Sequence, residues 1–569
     1  MRSNAVRCLL ALVAIFMRGS SLTAQGSGDP VAPFEGIPTA DPVSAAEAAD
    51  WHRDLAQLAH DLVARHGNAF HSTTPEALAT RVADLDARVP GLARHEIIVG
   101  MQRIAASIGD GHTTVPFLFD RAAGFHALPL RLERYAEGLF VEAGAGELGD
   151  VVGSRIVAIG GVPVEEAVER ITPLISRDND IWIRTMAPLY LGVTEVLHAL
   201  KLSDDPMAAT LSIEGPGGSR TVRIAARQAP FILDHGSARR PVPGWIDARD
   251  TSPEASPLPL RHPERPYWRE YLPDRRTLYI KYDQVNDAPH GPGVLAFFAE
   301  ALAFVDENPV ERLILDVRDN SGGEGMLNYG VVKEIIRRPA IDRPGGLFVI
   351  IGRRTFSAAQ DLVHKLDLWT DAIFIGEPTG SSPRFWGDHR PFRLERSGLL
   401  VSASPTWWQP GGPYDRREFL PPELAFEPRW EDYVANRDPA VEAALAWEER
   451  VTLEDVVLPL LGVGVEASDP AAGAVREWSA DPEHRYASAT RDLNALGYRL
   501  YRSGRREEAL GVFGLNVAVH PAYANGWDSL GEILLAMGRR EEGLAAYRRA
   551  YDLDPTVGRA AEILARDVP

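Results

Sequence analysis

The sequence predicts a multidomain α/β protein, and three observations carry that prediction. At 569 residues the chain exceeds what a single hydrophobic core holds. Strand-like apolar runs alternate with amphipathic helical patterns from about 267 to 445, which is the signature of parallel pairing. The flanking regions read as helical, and the last of them repeats with a period of 34 residues.

Taken in order, residues 1–24 read as an export signal. Arg2 and Arg7 precede the apolar run "CLLALVAIFM", and "SLTAQ" offers a cleavage site after Ala24. That run is too short to span a bilayer, and the rest of the chain contains no longer one, so a periplasmic or extracellular protein without a membrane span is expected. Cys8, the only cysteine, lies inside the signal, which leaves no disulfide or thiol site in the mature chain.

Residues 25–125 form a helical domain, with Thr74, Pro75 and Glu76 as a helix start. Residues 126–230 turn to short strands. In "GSRIVAIGGVPVEEAVERI" a strand, a Gly-Gly turn and an amphipathic helix follow one another before a closing hairpin, and this order resembles a PDZ-like domain. The stretch between that helix and the hairpin is longer than such a domain requires, so the groove is expected to be covered or reshaped. Residues 231–266 are rich in proline and read as a linker or strap. The α/β core spans 267–445, and 446–482 reads as a second linker. In 483–569, Leu496 and Gly497 recur as Leu530 and Gly531, Phe513 as Tyr547, and Pro521 as Pro555. That pattern matches tetratricopeptide repeats, with the flanking residues capping two units.

Three segments carry candidate chemistry. His112 in "SIGDGHTTVPF" sits in a Gly-flanked turn, and an imidazole of ordinary acidity suits a general base. Gly322 and Gly323 end the strand "LILDVRDNSGG", where backbone N–H groups can serve as an oxyanion hole. Ser357 in "RRTFSAAQ" opens a helix. By local rules it is an N-cap, with Gln360 completing a capping box.

The combination of these segments in this order resembles the C-terminal-processing and tricorn-type serine peptidases, on the tricorn-like side that uses histidine. The resemblance covers roughly residues 43–445. It implies a crotonase-like catalytic core with Ser357 as nucleophile, His112 as base, and the N–H groups of Ala358 and of Gly322 or Gly323 as the oxyanion hole. The lysine base of the C-terminal-processing branch is replaced here by Ser382. The serine that tricorn-type sites place beside the histidine is replaced by Gly111. A third group orienting His112 is left open among Asp110, Glu377, Asp388 and Asp415, with Glu377 preferred. Trp386 and Trp407 are candidates to line a substrate cleft, and His389 reads as a surface residue.

The expected function is therefore an exported serine peptidase without a cofactor, acting on peptides or proteins, with PDZ-like and tetratricopeptide modules for recruitment. The alternative is a peptidase-shaped scaffold with little or no turnover. A net charge of −19 without a basic block argues against nucleic acid as partner. Metal is not expected, since "H-E-x-x-H" is absent and His60, His66 and His71 are spaced by six and five.

Overall fold

The protein is described by a computed structural model, which covers residue 36 and residues 38–215, 217–228, 242–412, 415–447, 452–461 and 470–566. The expected export segment and most of the first half of the proline-rich linker lie outside the described residues. No helix among the described residues is long and apolar enough to cross a membrane. The chain forms two compact units, residues 1–421 with 426–446, and residues 422–425 with 447–569.

The first unit begins with helices Ala45–Arg65, Pro75–Arg88 and Arg94–Ala106. Ser44 caps the first through a reciprocal box with Glu47, and Thr74 caps the second ahead of Pro75. Their apolar faces bury Leu55, Leu58, Leu62, Ile97 and Ile98. Gly109, at φ 90°, turns the chain out of the third helix and into the segment that carries His112.

An antiparallel sheet follows, with strands in the order Leu130–Tyr135, Gly138–Ala145, Arg155–Ile159, Ala208–Gly215 and Gly218–Ala225. Gly160 and Gly161, both at positive φ, turn the third strand towards helix Val164–Ile171. The long insertion supplies helix Ile183–Leu191, which packs on Val164–Ile171 and on edge strand Leu130–Tyr135 together. The proline-rich segment is a strap, since Trp245–Asp247 pairs with Ala143–Ala145 in the same sheet.

The second large sheet of this unit places Tyr267–Leu272 antiparallel to Thr277–Tyr282. Arg312–Asp316, Leu347–Ile351 and Ile373–Gly376 then follow in parallel. Leu313, Leu315 and the whole of Leu347–Ile351 are buried, as expected for parallel strands covered on both faces. Helices Val294–Glu307, Asn328–Ile336 and Ala358–Trp369 make the crossovers. The site lies at the ends of strands Arg312–Asp316 and Leu347–Ile351, where the chain leaves the sheet.

The second unit contains two helix pairs, Ala489–Arg502 with Arg506–Val519 and Ala524–Ala536 with Arg540–Leu553, followed by Ala560–Arg566. The segment read as a second linker instead forms helices Leu453–Val457 and Pro470–Ala480. Their residues Val457, Ala471, Ala472 and Val475 share a core with Leu493 and Leu496. Two repeats leave an apolar face open, and these short helices cover it. Gly497 and Gly531 admit the rings of Phe513 and Tyr547, and a Cβ at Gly497 would lie 2.6 Å from Phe513 Cζ. Gly497→Val is therefore expected to destabilise this unit by about 1–3 kcal/mol. A lower urea midpoint in the helical circular dichroism signal reads this out, whereas an unchanged midpoint contradicts the close packing.

Candidate active site

The site starts from a strained turn. Ser357 follows strand Leu347–Ile351 and precedes helix Ala358–Trp369 with φ 55° and ψ −124°, a conformation unusual for a residue with a side chain. Its hydroxyl does not cap the helix. It lies 2.9 Å from His112 Nε2 instead. The expected capping box is thus absent, and the Gln360 side chain is buried with both polar atoms unpartnered. Local propensity gave way to a tertiary contact.

The turn is held from both sides. Thr355 Oγ donates to the Val317 carbonyl at 3.0 Å and accepts the Gly352 N–H, also at 3.0 Å. The Phe356 N–H donates to the Asn320 carbonyl. Asn320 in turn bridges the Tyr282 carbonyl and the Gly322 N–H at 2.9 Å each. The glycine strand end and the serine turn are therefore one hydrogen-bonded unit. A Cβ at Gly322 would lie 2.8 Å from both the Ala358 nitrogen and Ser357 Cβ, so only glycine permits this approach.

That network also sorts the oxyanion candidates. The Gly322 N–H is committed to Asn320. Val285 bonds to the Gly322 carbonyl and the Glu324 N–H, which leaves the intervening Gly323 N–H directed away from Val285. The Ala358 N–H opens its helix and has no helical acceptor. Gly323 and Ala358 are the pair with donors to offer.

His112 is buried, at 7% exposure. Its ring packs on Phe356 at 4.8 Å, Phe385 at 5.7 Å and His389 at 5.8 Å between centroids. Trp182 stacks on the other face of Phe356 at 4.4 Å. Burial, followed by the neighbouring His389, pushes the imidazole down to about 4, with Asp110 acting in the opposite direction. Nδ1 has no hydrogen-bond partner. The Trp386 backbone favours a proton on the ring without reaching Nδ1 in hydrogen-bond geometry.

Among the described residues, no carboxylate reaches the ring. Asp110 accepts the backbone N–H groups of His112 and Thr113 at 2.9 and 2.7 Å, the Ser404 hydroxyl at 2.9 Å and His66 Nε2 at 3.1 Å. Burial opposes its charge, but the His66 bond and the other contacts outweigh burial and hold the carboxyl below its ordinary value. Glu377 faces Arg353 Nε at 3.5 Å and Arg184 at 4.0 Å, within a different cleft. Asp415 chelates Arg417 near His364, and Asp388 is exposed. Trp386 packs on His66 at 4.9 Å and on Trp407 at 5.2 Å, so the two tryptophans cover the helical domain and stand outside the cavity wall. Ser382, at the lysine's place, donates to the Glu418 carbonyl.

Asp178, within the insertion, is the carboxylate that sequence reasoning missed. It accepts the Gly111 N–H at 2.8 Å and the Ser381 hydroxyl at 2.5 Å. Burial raises it to about 7 despite the Ser381 bond, with the Asp110 charge adding to the rise. A Cβ at Gly111 would lie 2.5 Å from Phe356 Cζ, so the packing of Phe356 at this point favours glycine. Nothing in the local sequence around Asp178 signals this role, because its partners are 67 and 203 residues away.

His66, His71 and Asp110 bring three ligand-type atoms within 4.8 Å of one another. The Asn68 N–H donates to His66 Nδ1 at 2.9 Å, which puts the neutral ring's proton on Nε2, facing Asp110. The cluster is thus wired as a hydrogen-bonded support for Asp110, and its tautomer does not suit metal ligation by His66 Nε2.

A cavity of about 160 Å³ opens in front of Ser357 and His112. Leu128, Leu130, Leu132, Met186 and Leu189 form much of its wall, and Arg131, Glu133, Arg354, Ser321 and His389 are among its polar members.

No family model matches the sequence, and no curated protein matches it either. Among solved structures, the chain is similar to mature CPAF at 14% identity, over 70% of this chain and 96% of that chain, with a TM-score of 0.50. Weaker likenesses reach the photosystem II D1 C-terminal processing protease, at 14% identity over 68% and 94% of the two chains with a TM-score of 0.34. The tricorn protease follows at 14% identity over 70% and 36% with a TM-score of 0.29. The fold of the larger part of the chain is that of CPAF.

The raised Asp178 gives a stability test. A carboxyl that holds its proton more tightly folded than unfolded makes stability fall as pH rises from about 4 to about 7, and leaves it level above. Asp178→Asn keeps an acceptor for Gly111 and removes the charge, so this decline should flatten in urea titrations between those pH values. An unchanged slope contradicts the assignment.

Proposed function

We propose that the protein is a serine peptidase in which Ser357 and His112 cleave a peptide bond. The observation that carries this reading is the 2.9 Å approach of His112 Nε2 to a serine hydroxyl held at positive φ, between residues 245 positions apart. The order of the sequence motifs and the fold shared with CPAF support it.

In this reading His112 Nε2 takes the Ser357 proton as Oγ attacks the substrate carbonyl. The N–H groups of Gly323 and Ala358 stabilise the oxyanion. The imidazolium then gives its proton to the leaving amine, and water, activated by the same nitrogen, releases the acyl group. The attacked residue's side chain enters the apolar cavity, which fits an aliphatic or aromatic group. The missing partner at Nδ1 makes the imidazolium expensive and favours slow turnover. It is also the observation behind the second reading, a scaffold that binds peptides and hardly cleaves them.

The sheet and helix of residues 126–230 are taken as a PDZ-like domain whose groove is closed. Helix Ile183–Leu191 occupies the space between the edge strand and helix Val164–Ile171, where an added peptide strand would lie. Peptide recognition then falls to the cavity. The tetratricopeptide helices are assigned to a protein partner, and residues 1–24 to export.

Ser357→Ala and His112→Ala are each expected to lower kcat for a fluorogenic peptide by about a thousandfold or more. Wild-type rates in both contradict the mechanism. Because the imidazole sits near 4 rather than its ordinary value, the base is already neutral at mildly acidic pH. The acidic limb of kcat/KM is therefore expected below about pH 5. A limb at the ordinary histidine value contradicts the burial argument.

A further inference from the structure

The sequence reading placed His389 on the surface, yet its ring is largely enclosed. It sits between strands Phe385–Gly387 and Arg390–Arg393, directly after Asp388 at φ 54°. The ring lies 5.8 Å from the His112 ring and nearly parallel to it, at 29°. It lines the cavity that opens on Ser357. Its Nε2 is buried and has no hydrogen-bond partner within the protein.

An orphaned ring nitrogen in such a place needs an account, because leaving a buried polar atom unsatisfied costs about 1–3 kcal/mol. Packing against His112 alone does not supply one, since a phenyl ring would pack there without the cost. Of the charged groups in the cavity wall, Arg131 pairs with Asp247 and Arg354 with Glu133, whereas His389 Nε2 has no such partner among the described residues and is left to meet a peptide's main chain. A neutral imidazole offers either a donor or an acceptor, and main-chain amides present both. Burial lowers the His389 pKa, which keeps the ring neutral and suited to this role.

We infer that His389 is a substrate-binding residue whose Nε2 hydrogen-bonds the main chain of a peptide seated in the Ser357 cavity. This deepens the peptidase reading by assigning the polar contact that orients the peptide. It does not require that the peptide be cleaved. His112 remains the only imidazole at hydrogen-bond distance from the nucleophile among the described residues.

The test measures binding apart from chemistry, in the full chain carrying Ser357→Ala. The probe is a fluorescein-labelled, leucine-rich heptapeptide amide, followed by anisotropy. His389→Phe keeps a ring of similar size against His112 and removes both ring nitrogens. It is expected to weaken binding about three- to tenfold, the range for loss of one neutral hydrogen bond. His389→Gln, which can place an amide group near the Nε2 position, is expected to stay within about twofold of the parent. Melting temperatures of all three proteins identify any misfolded variant, and a misfolded Phe variant is replaced by His389→Leu with the same expectation. Equal affinity in the Phe variant overturns the inference, as does a Gln variant that binds as weakly as Phe. A peptide that binds in a His389-dependent way and is never cleaved by the unsubstituted enzyme leaves this inference standing and removes the proposed chemistry.

Discussion

The backbone at Ser357 is the constraint on which the site depends. A serine at φ 55° costs on the order of 1–3 kcal/mol, and the surrounding bonds must offset that. Thr355 ties the turn to the strand carrying Val317, and Asn320 ties it to the glycine strand end. Relaxed to ordinary cap geometry, the hydroxyl would turn back towards its own helix and leave His112. The parallel sheet matters here because it fixes two adjacent strand ends to one register, Leu313 opposite Leu347 through Asp316 opposite Ile350. The serine turn and the Gly323 and Ala358 N–H groups thus belong to one hydrogen-bonded edge, which is what the preorganisation of the proposed oxyanion site requires.

The histidine comes from the turn after helix Arg94–Ala106 and is steadied differently. Two carboxylates flank it, Asp110 buried and Asp178 half-buried, but both act on backbone: Asp110 on the N–H groups of His112 and Thr113, and Asp178 on that of Gly111. The ring itself is clamped by Phe356, Phe385 and His389. This packing fixes orientation and keeps the ring neutral, but it does little for the imidazolium that the proposed reaction would form. Position without charge compensation is the trade made here, and it links the low imidazole pKa to slow expected turnover. The wiring of His66 is part of the same support, since its Nε2–H faces Asp110 rather than an open coordination site.

Much of the fold was legible in the sequence because periodicity reports it directly. The alternating strands and helices of 267–445 and the 34-residue repeat arose from patterns that the structure preserves. Ser357 and His112 could be paired only through motif order, because local rules made the serine a cap. The rest was hidden for physical reasons. Asp178 meets Gly111 and Ser381 only in three dimensions, and His389 meets His112 across 277 residues of chain. Glu377 was attractive by its place after the serine helix, but Arg353 and Arg184 are nearer and hold it elsewhere. Trp386 is taken up by His66 and Trp407, and Trp407 itself is largely exposed.

The most direct test of the account is covalent labelling of the full chain with a fluorophosphonate probe, followed by mass mapping of the modified peptide. The account predicts a single adduct on Ser357, formed slowly and suppressed when His112 is replaced by alanine. An adduct elsewhere, or full labelling of Ser357→Ala, would contradict it.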